Sequence, residues 1–302
     1  MFDHILVPLD GSGLAESALP TAVYLSQAMH AGVSLLHVVE TNAPETVHGE
    51  RHLANRDEAS AYLQELALSR FPTGVQVDMH VHEEKVEDVA DAILSHVHEL
   101  GSDLVIMCTH GSGGLRDMLY GSIAQQVIGK GATPVLLIQP DHERQVDFCC
   151  GKILVPLDGD PEHEQGIPVA QAVAQACRAN ILLLIVVHTM RTLPVDQAST
   201  ARLLPSASGE LLDMIAVQAL ENLKEKAIQF QAVGISTSIA VTRGDPVQSI
   251  IETAREQMAD LIIIGTHGKA GINAFWEGSI AARVSSRTHL PLLLVPVKPK
   301  KI

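Results

Sequence analysis

The chain is one unit written twice. HILVPLDGS at 4–12 returns as KILVPLDGD at 152–160. DLVIMCTHGSGGLRDMLYGSIAQQVI at 103–128 returns as DLIIIGTHGKAGINAFWEGSIAARVS at 260–285, and TPVLLIQP at 133–140 as LPLLLVPV at 290–297. A repeat of about 150 residues is too long for a solenoid and has the length of a domain. The joint is the polar stretch from Asp141 to Gly151. We therefore expect two domains, at 1–145 and 146–302.

Each copy alternates short aliphatic runs with helical patterns. In the second, Ile153–Val155 is a buried strand, and Ile167, Ala170, Val173, Ala174 and Cys177 recur at helical spacing. Ile181–Val187 is the second strand. A loop with Pro194, Pro205 and Ser206 follows, and Leu212 to Phe230 marks a longer helix. Ile235, Thr237, Ile239 and Val241 alternate as a third strand. Asp245 and Pro246 then suit the N-cap and first position of a helix. Leu261–Ile264 and Leu290–Val295 are strands four and five. Alternating strands and helices predict an α/β fold: two tandem doubly wound domains, each a five-stranded parallel sheet with helices on both faces. Only 3% of residues are aromatic, so the core is aliphatic, as parallel sheets usually are.

Charge narrows the partners. Lys+Arg total 21 against 35 Asp+Glu, a formal net charge of −14. That balance argues against nucleic-acid and anionic-membrane surfaces, which need basic patches. The longest aliphatic run, Ile181 to Val187, is far short of the roughly 20 residues of a membrane helix. The opening MFDHILVPLD has no signal-peptide pattern. These features predict a cytoplasmic protein. The four cysteines lack disulfide-scaffold or C-x-x-C spacing and fit reduced thiols, with the adjacent Cys149-Cys150 pair as a redox alternative.

The loop after strand four, GTHGKAGINAFWEGS at 265–279, holds four glycines and ends where a helix begins. Glycine admits φ > 0 and lets a ligand approach the backbone. A helix N-terminus supplies free N–H groups and the positive dipole end. Gly265, Gly268, Gly278, Ser279 and the N–H groups of Ile280 and Ala281 therefore suit a phosphate chain. The loop is neither a Walker A motif nor a dinucleotide G-x-G-x-x-G.

Gly265-x-x-Gly268, nine residues, then Gly278-Ser279 resembles the ATP-binding signature of the universal stress protein family, and ILVPLDGS is similar to that family's first strand. The resemblance covers both halves, as in tandem members. It implies a stress-response or regulatory protein that binds ATP, ADP or AMP and acts through conformation or association. By analogy Pro156, Leu157 and Asp158 border the adenosine, Val187 offers backbone bonds to adenine, and the glycine loop with His267 and Ser279-Ile280 takes ribose and phosphates. The first-half set is Asp10, Val38, Gly111, Gly121 and Ser122. Mg²⁺ would accompany a triphosphate. The resemblance also implies pairing of the last strands, here between the two halves, with a homodimer left open.

The first copy departs from the pattern: Cys108 stands at the Gly265 position, and Gly244 has no glycine counterpart near Lys85-Val86-Glu87. The second site is therefore expected to be the better one. Plainer roles stand beside these. Asp10 and Asp158 suit Asx turns, Ser122 and Ser279 suit N-caps, and His110 and His267 suit loop histidines bonded to backbone. His80 and His82 could share a metal across one strand face, with solvated histidines as the default. Two rival functions remain: a slow ATPase or adenylating enzyme, for which no general base beyond His267 and Asp158 presents itself, and a scaffold for a non-nucleotide ligand.

Overall fold

The computed structural model describes residues 2–40, 46–47, 50–51, 53, 55–86, 88–109, 122–139, 148–194, 198–199, 201, 203–267 and 279–297. In the first half, β1 (His4–Pro8), β2 (Gly32–Glu40), β5 (Val77–Val86), β6 (Leu104–Cys108) and β7 (Val135–Ile138) form a parallel array in the order β5-β2-β1-β6-β7. The second half repeats it with β8 (Lys152–Leu157), β9 (Asn180–Val187), β10 (Thr237–Arg243), β11 (Leu261–His267) and β12 (Leu292–Val297), ordered β10-β9-β8-β11-β12. A two-residue hairpin, β3 (Thr46–Val47) with β4 (Glu50–Arg51), is an addition of the first half that the hydrophobic pattern does not announce.

The two arrays are one sheet. β7 and β12 pair antiparallel, with Leu137 opposite Leu292, Leu136 opposite Leu293 and Val135 opposite Leu294. Aliphatic alternation explains why this ten-stranded sheet is covered on both sides. Ile5, Val7, Ile153 and Val155 face one layer, with the helices Leu19–Met29, Arg56–Arg70, Gly166–Cys177 and Pro205–Ala232. Leu6 and Leu154 face the other, with the helices Val89–Glu99, Ser122–Lys130, Pro246–Glu256 and Ile280–Ser285. Both apolar layers run across the joint between halves.

Local chemistry sets the helix ends. Asp245 caps Pro246–Glu256 by accepting the Gln248 N–H at 3.0 Å, and Pro246 stands in the first turn, as the sequence predicts. Ser279 caps Ile280–Ser285 by accepting the Ala282 N–H at 3.1 Å. Pro205 and Ser206, assigned to a loop on sequence, instead open the 28-residue helix Pro205–Ala232. Proline needs no hydrogen-bond acceptor in a first turn, so it starts that helix instead of breaking it. A repeated lock fixes the strand starts. Asp103 accepts the N–H groups of Asp3 and His4, and Asp260 those of Gly151 and Lys152, all at 2.8–3.0 Å.

Candidate functional site

In each half the strand order reverses between strand one and strand four, the point at which open α/β sheets bind ligands, and in the first half a crevice opens there beyond the carboxyl ends of β1 and β6. The chain leaves β1 through Leu9-Asp10-Gly11 and β8 through Asp158-Gly159. Both glycines lie in the left-handed region, at φ 90° and 83°, which favours glycine at this turn. Asp10 Oδ1 accepts the Ser12 N–H at 2.9 Å and the Ser12 hydroxyl at 2.6 Å. Asp158 Oδ1 accepts the Asp160 N–H at 2.9 Å, and its other oxygen meets His163 Nδ1 at 2.5 Å. Both aspartates thus make the Asx turn, and the second is tied to a histidine as well.

The first-half crevice encloses about 690 Å³, open mouth included. Its floor and walls are mostly aliphatic: Leu14, Leu36, Val38, Val89, Ile93, Met107 and Ile123. The polar lining is Asp10, His37, Glu40 and Cys108. Burial, reinforced by the Asp10 carboxylate, pushes the Cys108 thiol up to about 12, so it faces the crevice as a neutral S–H that donates to the Thr109 carbonyl at 3.3 Å. His37 is fully buried between two carbonyl oxygens, Leu9 O at 2.9 Å from Nδ1 and Leu53 O at 3.2 Å from Nε2. It ties the end of β1 to the segment before the helix Arg56–Arg70. A histidine inside an aliphatic strand is the signal that could have singled it out.

Strand register aligns the halves residue by residue. His4 pairs with Gly32 as Lys152 pairs with Asn180, so Val38 corresponds to Val186 and Val187 to Val39. The two valines chosen from sequence are therefore not equivalent. Val38 lines its crevice, whereas the Val187 carbonyl already accepts the Gly244 N–H at 3.1 Å. Gly244, at φ 153°, is itself held through its carbonyl by the Thr192 hydroxyl at 3.0 Å. The same register sets His188 opposite Glu40's place, and His188 Nδ1 is buried with no hydrogen-bond partner among the described residues.

Gly265 holds the place in half two that Cys108 holds in half one, pairing with Val295 as Cys108 pairs with Ile138, and sits in β11 outside the left-handed region. The helix Gly166–Cys177 packs over this strand: a Cβ at Gly166 would lie 3.5 Å from the Gly265 nitrogen, an ordinary van der Waals contact. The first half has Ala18 and Cys108 at these two places. Pro156 and Leu157 end β8 and are half-buried. Ile280 and Ala281 stand in the first turn of their helix, where the helix supplies no acceptor for their N–H groups. Ser122 opens the helix Ser122–Lys130, and His267 ends β11. Gly111, Gly121, Gly268 and Gly278, with His110, lie outside the described residues. Sequence reasoning missed His37, Glu40, His163 and His188.

Among the described residues, no group of three or more His, Cys, Asp or Glu could hold a metal ion, and no helix is long and apolar enough to cross a membrane. His82 turns instead to His96, with Nδ1 to Nε2 at 3.0 Å.

The sequence pattern of the universal stress protein family matches this chain twice, over residues 1–139 and 150–296. A universal stress protein of Methanocaldococcus jannaschii is 31% identical over 150 residues, which span 50% of this chain and 84% of that protein. Universal stress protein E of Escherichia coli K12 is 26% identical over 312 residues, 98% of this chain and 94% of that one. In fold the chain is similar to a protein of unknown function from Pseudomonas aeruginosa PAO1, at TM-score 0.70 and 18% identity, over 98% of this chain and 93% of that one. It is also similar to a universal stress protein from Archaeoglobus fulgidus, at TM-score 0.65 and 14% identity, over 99% and 98%.

Proposed function

The chain belongs to the universal stress protein family, and from that premise we propose that it is an adenine-nucleotide-binding stress or regulatory protein with its better site in the second half. The observation that carries this reading is the crevice at the switch point, since half one opens it between the strand ends that in half two lead into the full glycine pattern. Pro156, Leu157 and Asp158 border the adenosine, and the strand-two end at Val187 and His188 faces the base. The buried, unpartnered Nδ1 of His188 is a polar atom that a ligand would satisfy. Gly268, Gly278, Ser279 and the first-turn N–H groups of Ile280 and Ala281 take the phosphates, with Mg²⁺ beside a triphosphate. The polyphosphate would be held by main-chain amides, which bind and orient without doing acid–base chemistry. We assign the protein to ligand-dependent conformation or association in the cytoplasm, with residues 1–145 and 146–302 as its two ligand units. The β7–β12 seam uses the last strand of each half, so the paired halves form the working unit.

Titration with a fluorescent ATP analogue tests the assignment. Gly278→Val is expected to weaken binding at one site per chain by about 100-fold, near 3 kcal/mol, with an unchanged melting curve. Undiminished affinity in both Gly268→Val and Gly278→Val would falsify the site. Phosphate release at substantial turnover, abolished by His267→Ala, would move the reading to the enzyme.

A further inference from the structure

The ten-stranded sheet ends in two edges of different character, β5 at one end and β10 at the other. Along β5, Asp78 and the exposed Glu83 place carboxylates on the strand, and the register against β2 shifts between Val38 and Glu40. Charges and a bulge are the usual devices that keep an edge from adding a further strand. β10 reads TSIAVTR and pairs with β9 in unbroken register from Thr237 to Arg243. It has no charge before Arg243, no proline and no bulge. Among the described residues, no strand pairs with its outer side.

Two hydrogen bonds fix which way its backbone points. The Ile181 N–H donates to the Ser236 carbonyl at 2.9 Å, and the Gly244 N–H donates to the Val187 carbonyl at 3.1 Å. Even-numbered residues of β10 thus turn their main-chain groups toward β9. By strand alternation Thr237, Ile239, Val241 and Arg243 turn theirs outward. Ile239 and Val241 are only half-buried. Arg243 reaches Asp213 of the helix Pro205–Ala232, at 2.5 Å. Val217 and Leu220 follow Asp213 on the same helix face, and both are exposed. A rise of about 1.5 Å per residue carries Leu220 about 10 Å along from Asp213, level with the middle of β10.

We propose that β10 pairs antiparallel with β10 of a second copy of this chain across a two-fold axis at Ala240, joining two ten-stranded sheets into one. The register is self-complementary. Ile239 of each copy faces Val241 of the other, and Thr237 faces Arg243. All four are outward-turned, so each facing pair exchanges two main-chain bonds. Ala240 faces its own copy at a non-hydrogen-bonded site, where Cα atoms stand about 4.5 Å apart and a small side chain fits. No like charges stand opposite each other. Val217 and Leu220 bring apolar surface to one face of the new seam. The β7–β12 seam already joins the two halves by the same antiparallel pairing of edges. With β5 guarded, the contact is used once per chain and closes as a dimer instead of growing into a fibre.

The test is the mass of the full chain by light scattering during size exclusion at micromolar concentration, in about 0.15 M salt so that the −14 charge of each copy is screened. Twice the chain mass is expected, with no ligand added. Val241→Pro removes one outward N–H and no bond to β9, so it should return the mass to one chain with unchanged circular dichroism. Met79→Lys, on β5, should leave the dimer intact. Ala240→Cys in a Cys149→Ser background should give, on mild oxidation, a chain-to-chain disulfide that maps to position 240 on both sides. The wild-type mass and this disulfide need no proline variant to fold. A single-chain mass for the wild type, a dimer that survives in a folded Val241→Pro, loss of the dimer in Met79→Lys, or no disulfide at position 240 would each overturn the proposal.

Discussion

Half one and half two share a strand order, a register and a turn, yet differ at several positions around the crevice, His37 against Ile185 and Leu14 against Glu162 among them. Cys108 stands where half two has Gly265, Glu40 where it has His188, and Ala15 where it has His163. Each of these last three changes from one to two removes a side chain or an acid, or adds an imidazole. Asp10 in half one is answered by a serine hydroxyl, whereas Asp158 in half two is answered by a histidine. The described lining of the first crevice carries two carboxylates and no lysine or arginine. The frame therefore fixes where a ligand sits, and a few side chains at the strand ends decide how much negative charge it can bring.

That comparison rests on the halves sharing one sheet, and the seam is where it breaks most violently. Leu293 is 1% exposed and opposite Leu136, which is wholly buried. Leu293→Asp puts an unpaired charge into that layer and should cost more than about 4 kcal/mol. Urea unfolding is expected to show a lost or split transition. A single unshifted transition would mean that the seam contributes little.

Exchanging the strand-four residues sharpens the comparison next. Cys108→Gly should raise first-half ATP affinity about 10-fold, at a stability cost of about 1–2 kcal/mol for the lost side chain and the glycine in a strand. Gly265→Cys should lower second-half affinity by a similar factor. Calorimetry resolves the two sites by stoichiometry, and two equal tight sites in the wild type would remove the asymmetry altogether. A smaller gain, about 5-fold for ATP, is expected from Glu40→His, since one unit charge at 4 Å in water is worth about 1 kcal/mol. Adenosine, which carries no phosphate, should bind this variant and the wild type alike. An equal gain for adenosine would assign the effect to shape.

The sequence carried the architecture because the architecture is periodic. Aliphatic runs fixed the strands, Asp245 and Ser279 fixed helix starts through their caps, and the repeat fixed the duplication. The contacts of single side chains were less legible. His163 reaches Asp158 only because a short 3₁₀ turn at Pro161–His163 bends it back, and no periodicity encodes that turn. His188 and Glu40 look unrelated until strand register superposes them, and by the same register Val38 and Val187 are one residue out of step. Pro205 looks like a loop residue in the sequence because proline marks a helix start and a break alike, and here it opens the helix Pro205–Ala232.

The helices facing the two crevices differ last in how their caps hold charge. Asp88 caps Val89–Glu99, and its carboxyl is held below the ordinary aspartate range first by the Lys130 ammonium, at 2.6 Å, and then by the Asp91 and Ala90 N–H groups. Asp245 is lowered first by the Gln248 N–H and only then by Arg283, at 3.4 Å. A lowered carboxyl adds stability above its unfolded value and loses it as pH falls through the folded one. Both caps should therefore weaken only in acid, below the ordinary aspartate range. Their salt responses should differ: an exposed ammonium is screened by added salt, while a main-chain N–H inside a capped turn is not. Carbon-detected NMR titration of the two carboxyls in low and high salt is expected to move Asp88 upward more than Asp245. If Asp245 moved as far, its Arg283 contact would outweigh the main-chain bond, and the two caps would be electrostatic equals.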